Sequence, residues 1–175
     1  MFTPSTIGNF NVTYNYGSGT CATSDQVAVS VIAATILNVS PDFAQCADGA
    51  PTVLVASAPG GTWTGNGISG PPWEFDPAAA GSGSHPLTYT YVSPNGCVST
   101  AQTNATVHAL PVVNAGPDVQ LCNQPIPYQI TGATPAGGTW SAGSMIVTTD
   151  GWLTPNGVGS DIFTYSFTDA NGCSG

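Results

Sequence analysis

Residues 46–97 read CADGAPTVLVASAPGGTWTGNGISGPPWEFDPAAAGSGSHPLTYTYVSPNGC, and the rest of the chain is this stretch again, whole or cut. A shift of 76 residues carries Cys46 onto Cys122 and Cys97 onto Cys173. Gly60-Gly61-Thr62-Trp63 recurs as Gly137-Gly138-Thr139-Trp140, and Asn95-Gly96-Cys97 as Asn171-Gly172-Cys173. Moving backwards, Cys97 maps onto Cys21, and Tyr89 and Tyr91 map onto Tyr14 and Tyr16. An internal period of this length governs the architecture before any local reading does. It divides the chain into the C-terminal part of one unit (1–34), a complete unit (35–110) and a third unit lacking its last strand (111–175).

The local pattern within each unit is β. Leu87, Tyr89 and Tyr91 alternate with Thr88 and Thr90, and the same period-2 face recurs as Val12, Tyr14, Tyr16 and as Phe163, Tyr165, Phe167. Asn95-Gly96 is the favoured two-residue hairpin turn, so Cys97–Val107 returns as the second strand of a hairpin, as Cys21–Val31 does in the first unit. Further strands are expected over Ile36–Ser40, Thr52–Ser57 and Thr62–Thr64. Pro71, Pro72, Pro77 and Gly81-Ser82-Gly83 make an irregular middle. The junction Ala109-Leu110-Pro111 contains no flexible Gly/Ser linker, which predicts semi-rigid tandem rods with units roughly 30–40 Å long.

Composition narrows the function classes. The 175 residues include nine Asp and Glu and no Lys or Arg. A chain without these cations has little with which to neutralise phosphates, which argues against nucleic acid and against anionic membrane surfaces. A 41% hydrophobic share with 9% aromatic residues argues for folded cores despite only 5% charged residues. No apolar run approaches the ~20 residues of a membrane helix, so no membrane insertion is expected, and no signal peptide is visible after Met1.

The cysteines carry the strongest chemical signal. Cys46 to Cys97 and Cys122 to Cys173 have the same spacing of 51 residues, which predicts one disulfide staple per unit. Cys21 then takes a partner 51 residues upstream, before Met1. Zinc ligation is disfavoured because no C-x-x-C occurs and the two His are scattered. Disulfides point to an oxidising, extracellular location.

Taken together, Val113-Asn114-Ala115-Gly116-Pro117-Asp118 with Cys122, Gly137-Gly138-Thr139-Trp140, Phe75-Asp76-Pro77 and Tyr165-Ser166-Phe167-Thr168-Asp169-Ala170-Asn171-Gly172-Cys173 resemble the immunoglobulin-like (PKD-like) repeats of large Bacteroidota cell-surface proteins. Those proteins include gliding-motility-associated adhesins exported by type IX secretion. The resemblance covers essentially the whole chain and implies tandem, disulfide-stapled immunoglobulin-like β-sandwiches serving as spacers. Departures are local: the middle unit has Asn38-Val39-Ser40-Pro41-Asp42, and the third has Ser141–Asp150 in place of a Gly-Asn-Gly turn.

The candidate sites are few. Trp63 and Trp140 are read as core. Trp152 is expected to face outward and, with Trp73, is the candidate contact residue for a glycan or surface. Asp42 and Asp118 lie near junctions and are the only metal candidates; no cofactor is expected. Asn11, Asn38 and Asn104 head N-x-[ST] sequons. His85 and His108 belong to no catalytic pattern, so no enzyme is expected. The partners implied are neighbouring repeats of one long chain or identical chains in a filament. The leading reading is a stalk or filament section of an extracellular adhesin-type protein, and the alternative is a carbohydrate- or surface-binding module. The repeat phase at both ends points to a window in a longer chain, with strand donation between subunits as the other explanation.

Overall fold

The computed structural model describes residues 6–175, and its regular elements are almost all β-strands. The first two strands, β1 (Gly8–Tyr16) and β2 (Thr23–Val31), form an antiparallel hairpin around a short 3-10 turn at Gly19–Cys21. Its predicted inward face is not covered: Tyr14 and Tyr16 are 69% and 68% exposed. The period-2 reading gave the strands correctly. Burial fails here because the described residues before β1 supply no counterpart of the strands that cover the next hairpin.

That next hairpin is the centre of the molecule. In the middle segment β3 (Phe43–Cys46), β4 (Thr52–Val53), β5 (Thr62–Thr64), β6 (Ile68–Ser69) and β7 (Glu74–Phe75) precede a one-turn helix, α1 (Pro77–Ala80). Asp76 caps that helix, its carboxylate accepting from the Ala78 and Ala79 N–H groups, and Pro77 occupies the first turn. Then come β8 (Gly83–Val92) and β9 (Val98–His108). One sheet has the order β3-β9-β8-β5, the other β4-β7-β6. Leu54, Trp63, Phe75, Leu87, Tyr89, Ala105 and Val107 from both sheets form one buried cluster. Alternation places Leu87 and Tyr89 inward as predicted, at 0% and 3% exposure. The strand expected over Ile36–Ser40 reduces to a bridge, Val39 opposite Ala56, and Ile36 is exposed.

The C-terminal segment repeats part of this arrangement with β10 (Tyr128–Gln129), β11 (Thr139–Ala142), β12 (Trp152–Leu153) and β13 (Phe163–Ser166). Trp140 lies opposite Tyr165 in β11–β13 as Trp63 lies opposite Tyr89 in β5–β8. The ring centroids are 5.1 and 5.3 Å apart, with nearly equal tilts of 52° and 50°. A smaller core of Ile130, Trp140, Leu153 and Tyr165 results. Residues 119–122, the sequence counterparts of β3, are coil. β3 is held by β9, and among the described residues no strand equivalent to β9 lies beside 119–122.

The Gly-Gly-Thr-Trp motif has a physical cause, the same in both places. The first glycine takes positive φ, +88° at Gly60 and +93° at Gly137, where a side chain is disfavoured. The second lies flat under a tyrosine ring: a Cβ at Gly61 would collide with Tyr89 and the Thr90 carbonyl, and one at Gly138 with Tyr165 and the Ser166 carbonyl. That approach lets the tyrosine hydroxyl fasten the loop. Tyr89 accepts from the Gly61 N–H at 2.8 Å and donates to the Ala58 carbonyl; Tyr165 accepts from the Gly138 N–H at 2.7 Å and donates to the Pro135 carbonyl.

Two glycine substitutions separate packing from general tolerance. Gly61→Ala should lower the urea midpoint of the chain, at an overpacking cost of about 1–3 kcal/mol or more. Gly157→Ala, where an added Cβ meets nothing within 4 Å, should leave the midpoint within about 0.5 kcal/mol of wild type. Equal effects in the two variants would remove the ring-on-glycine explanation.

Candidate functional site at the inter-segment disulfide

A covalent bond joins the middle and C-terminal segments: Cys46 is bonded to Cys173, 127 residues away, with a Cα–Cα separation of 5.6 Å. This corrects the expected Cys46–Cys97 and Cys122–Cys173 staples. The reason lies in strand direction. β3 runs parallel to β9, pairing Cys46 with His108 at the end of β9. Cys97 stands at the opposite end, in the β8–β9 turn. β9 is 11 residues long, which places that turn about 35 Å from Cys46 at ~3.3 Å per residue. A disulfide cannot bridge Cα atoms much more than about 7 Å apart. Cys21, Cys97 and Cys122 are free, the first and third exposed and Cys97 partly covered.

The seam around the bond is built from both segments. On the middle side, the Ala47 N–H donates to the His108 carbonyl at 2.9 Å, holding the residue after Cys46 against the end of β9. On the C-terminal side, Cys173 sits in a turn closed by Asp169, which accepts from the Asn171 and Cys173 N–H groups, both at 2.9 Å. These bonds, the Cys173 N–H first, hold the Asp169 carboxyl below its ordinary 3.8, and nearby His108 acts in the same direction. Asp169 and Cys173 also exchange a backbone bond, and Phe167 and Gly175 exchange two. Cys173 is 1% exposed, and a Cβ at Gly175 would strike the Pro111 carbonyl of the junction.

Sequence reasoning reached Cys46 and Cys173 as disulfide residues but missed the seam. No local signal exposes it, because Phe43–Cys46 joins β9 in parallel, a pairing that no turn sequence announces.

The other candidate residues do not converge. Trp152 is 43% exposed, in a groove with Pro127, Ile146, Thr148 and Asn156. Trp73 belongs to the other segment and packs in part against the larger core, so the two tryptophans form no common platform. Asp42 is occupied structurally, accepting from the Asn104 N–H at 2.8 Å and the Thr103 hydroxyl at 3.2 Å. Asp118 is exposed on a coil segment. Among the described residues no group of three or more His, Cys, Asp or Glu is placed to hold a metal ion. His85 points Nε2 at the Gly81 carbonyl and its ring at Phe75. Asp161 ties the distant Ser144–Met145 bend to its own segment by accepting from the Ser144, Met145 and Ile162 N–H groups, which lower its pKa, Met145 most. No described helix is long and apolar enough to cross a membrane. No protein-family model matches the chain, and no curated protein matches it.

Alkylation with N-ethylmaleimide without prior reduction should add three labels to the monomeric oxidised chain, at Cys21, Cys97 and Cys122. Pepsin digestion should then release one cross-linked peptide pair, containing Cys46 and Cys173. A Cys46–Cys97 pair in that digest would contradict the seam.

Proposed function

We propose that this chain is a section of an extracellular tandem array of immunoglobulin-like β-sandwich repeats, acting as a rigid spacer in the stalk or filament of a bacterial surface protein. The observation that carries this reading is the pair of matching Trp–Tyr–Gly-Gly arrangements, one in each segment, joined in series and bonded to each other through Cys46–Cys173. A series of similar β units with a covalent tie between neighbours resists bending at the junction, which a spacer requires.

Several features support it. The junction after His108 contains Pro111 and few residues before the next backbone pairing, Asn114 with Thr134. Val112 is 90% exposed and adds nothing by burial, whereas Val113 packs on the C-terminal core; the disulfide and the Cys173 turn supply the rest of the tie. Structural disulfides persist in oxidising compartments, which suits an extracellular location. The carboxylates with lowered pKa, Asp161 and Asp169, both accept from backbone N–H groups, Asp169 within a turn and Asp161 across to Ser144 and Met145, as expected of structural rather than catalytic groups.

A second reading, a carbohydrate- or surface-binding module, is favoured only by Trp152, whose ring is exposed beside a groove. An exposed indole face can stack on a sugar ring.

Small-angle scattering of the oxidised chain should give an elongated particle, and reduction should make it more flexible. A compact profile, or one indifferent to reduction, would count against the spacer. Titration of bacterial-surface polysaccharides against wild type and Trp152→Ala tests the second reading; saturable binding lost in the variant would favour it.

A further inference from the structure

The bond between Cys46 and Cys173 also accounts for the three thiols left over. By the 76-residue shift, Cys46 and Cys122 are equivalent strand-end cysteines, and Cys21, Cys97 and Cys173 are equivalent hairpin-tip cysteines. The bond observed joins the strand-end cysteine of one segment to the tip cysteine of the next, a separation of 127. Neither Cys97 nor Cys21 has a strand-end cysteine 127 residues before it in this sequence, and Cys122 has no tip cysteine 127 residues after it. These are the three cysteines that are free.

The unbonded tip has the form of the bonded one. At Cys97 the Ser93 hydroxyl accepts from the Cys97 N–H at 3.1 Å, as the Asp169 carboxylate accepts from the Cys173 N–H at 2.9 Å. The Ser93 N–H donates to the Cys97 carbonyl and the Gly96 N–H to the Ser93 carbonyl, and Asp169, Cys173 and Gly172 repeat both bonds. Cys97 therefore stands on a turn shaped like the one that carries the bonded sulfur. Cys97 and Cys122 also lie at the ends of their segments remote from the seam. Cys97 lies at the end of β9 remote from the seam. Val119 and Leu121, just before Cys122, line a groove with Phe163 at the end of β13 remote from the Cys173 tip.

We propose that Cys97 and Cys122 are open halves of a repeat-to-repeat disulfide ladder. Cys122 takes the Asn-Gly-Cys tip of a repeat of this type docked on the C-terminal segment. Cys97 takes the strand-end cysteine of a repeat docked before the middle segment, and Cys21 does the same one repeat earlier. The inference rests on the tandem-array reading and adds what locks its units: each is bonded to its neighbours and none is stapled within itself. Each rung forms from two thiols, which give up two protons and two electrons to a low-molecular-weight disulfide. Thiolate attack on that disulfide forms a mixed disulfide, and the second protein thiolate then displaces the remaining small thiol.

The test is an extended chain in which a copy of residues 100–175 follows Gly175, preserving the 76-residue period, with serine replacing the strand-end cysteine of the added copy. It is refolded in reduced and oxidised glutathione, alkylated with N-ethylmaleimide and digested with pepsin. The expected result is two cross-links, Cys46–Cys173 and Cys122 to the added tip cysteine, with near-complete loss of label at Cys122. Continued alkylation of Cys122 while Cys46–Cys173 is intact, or a bond from Cys122 to Cys173, overturns the ladder. If the extended chain fails to form Cys46–Cys173, the original chain decides. Bonds between copies joining Cys122 to Cys97 or Cys21 support the ladder, whereas Cys46–Cys97, Cys97–Cys122 or symmetric Cys122–Cys122 dimers overturn it. These outcomes are independent of the scattering result, so the ladder can fail while the spacer reading stands.

Discussion

Strand β9 is hydrogen-bonded along both edges, antiparallel to β8 over its length and parallel to β3 at its far end. Its residues Thr103 and Asn104 also hold the Asp42 carboxylate, which fixes the approach to β3. Its inward residues Ala105 and Val107 lie in the core beside Phe75 and Leu87. Because a strand has two edges and a direction, this one element decides the order of the four-stranded sheet and the end at which Cys46 emerges. The C-terminal segment illustrates the dependence by contrast. With no equivalent strand among the described residues, 119–122 remain coil, and Val119 and Leu121 are 40% and 39% exposed.

Much of the fold was legible because its signals are local. Alternation at Leu87, Tyr89 and Tyr91 and the Asn-Gly pair specify a hairpin from a dozen residues, although the turn is a five-residue loop over 93–97 closed by Ser93, not a two-residue one. The burial of Trp63 and Trp140 followed from their place behind Gly-Gly. The division of labour within Gly-Gly, one residue for φ and the other for a ring, was not legible, since it depends on a tyrosine 28 residues further on. The hairpin of β1 and β2 marks the opposite limit: alternation specifies which side chains share a face, but burial needs a second layer, and Tyr14 has none over it.

The disulfide shows where equal spacing misleads. A constant interval of 51 residues between cysteines is equally consistent with pairing inside a unit and with pairing between units, because both recur with the same period. Only the parallel register of Phe43–Cys46 on Ala105–His108 distinguishes them. Parallel pairing is non-local and leaves no turn sequence to announce it. The candidate residues chosen by type alone fared according to surroundings: Asp42 proved to be a β9 ligand, whereas Trp152 lies outward.

The Cys46–Cys173 bond also has a mechanical meaning. Tension applied along the backbone would enter at one cysteine and leave at the other, bypassing everything between them. That shielded stretch includes the core of the middle segment, both Trp–Tyr pairs and the junction at Pro111. At about 3.3–3.6 Å of contour per residue, the 127-residue separation corresponds to roughly 430 Å of chain withheld from extension. A pulled molecule would reach that reserve only once the bond was reduced, so thiol chemistry rather than force would set the length at which it gives way.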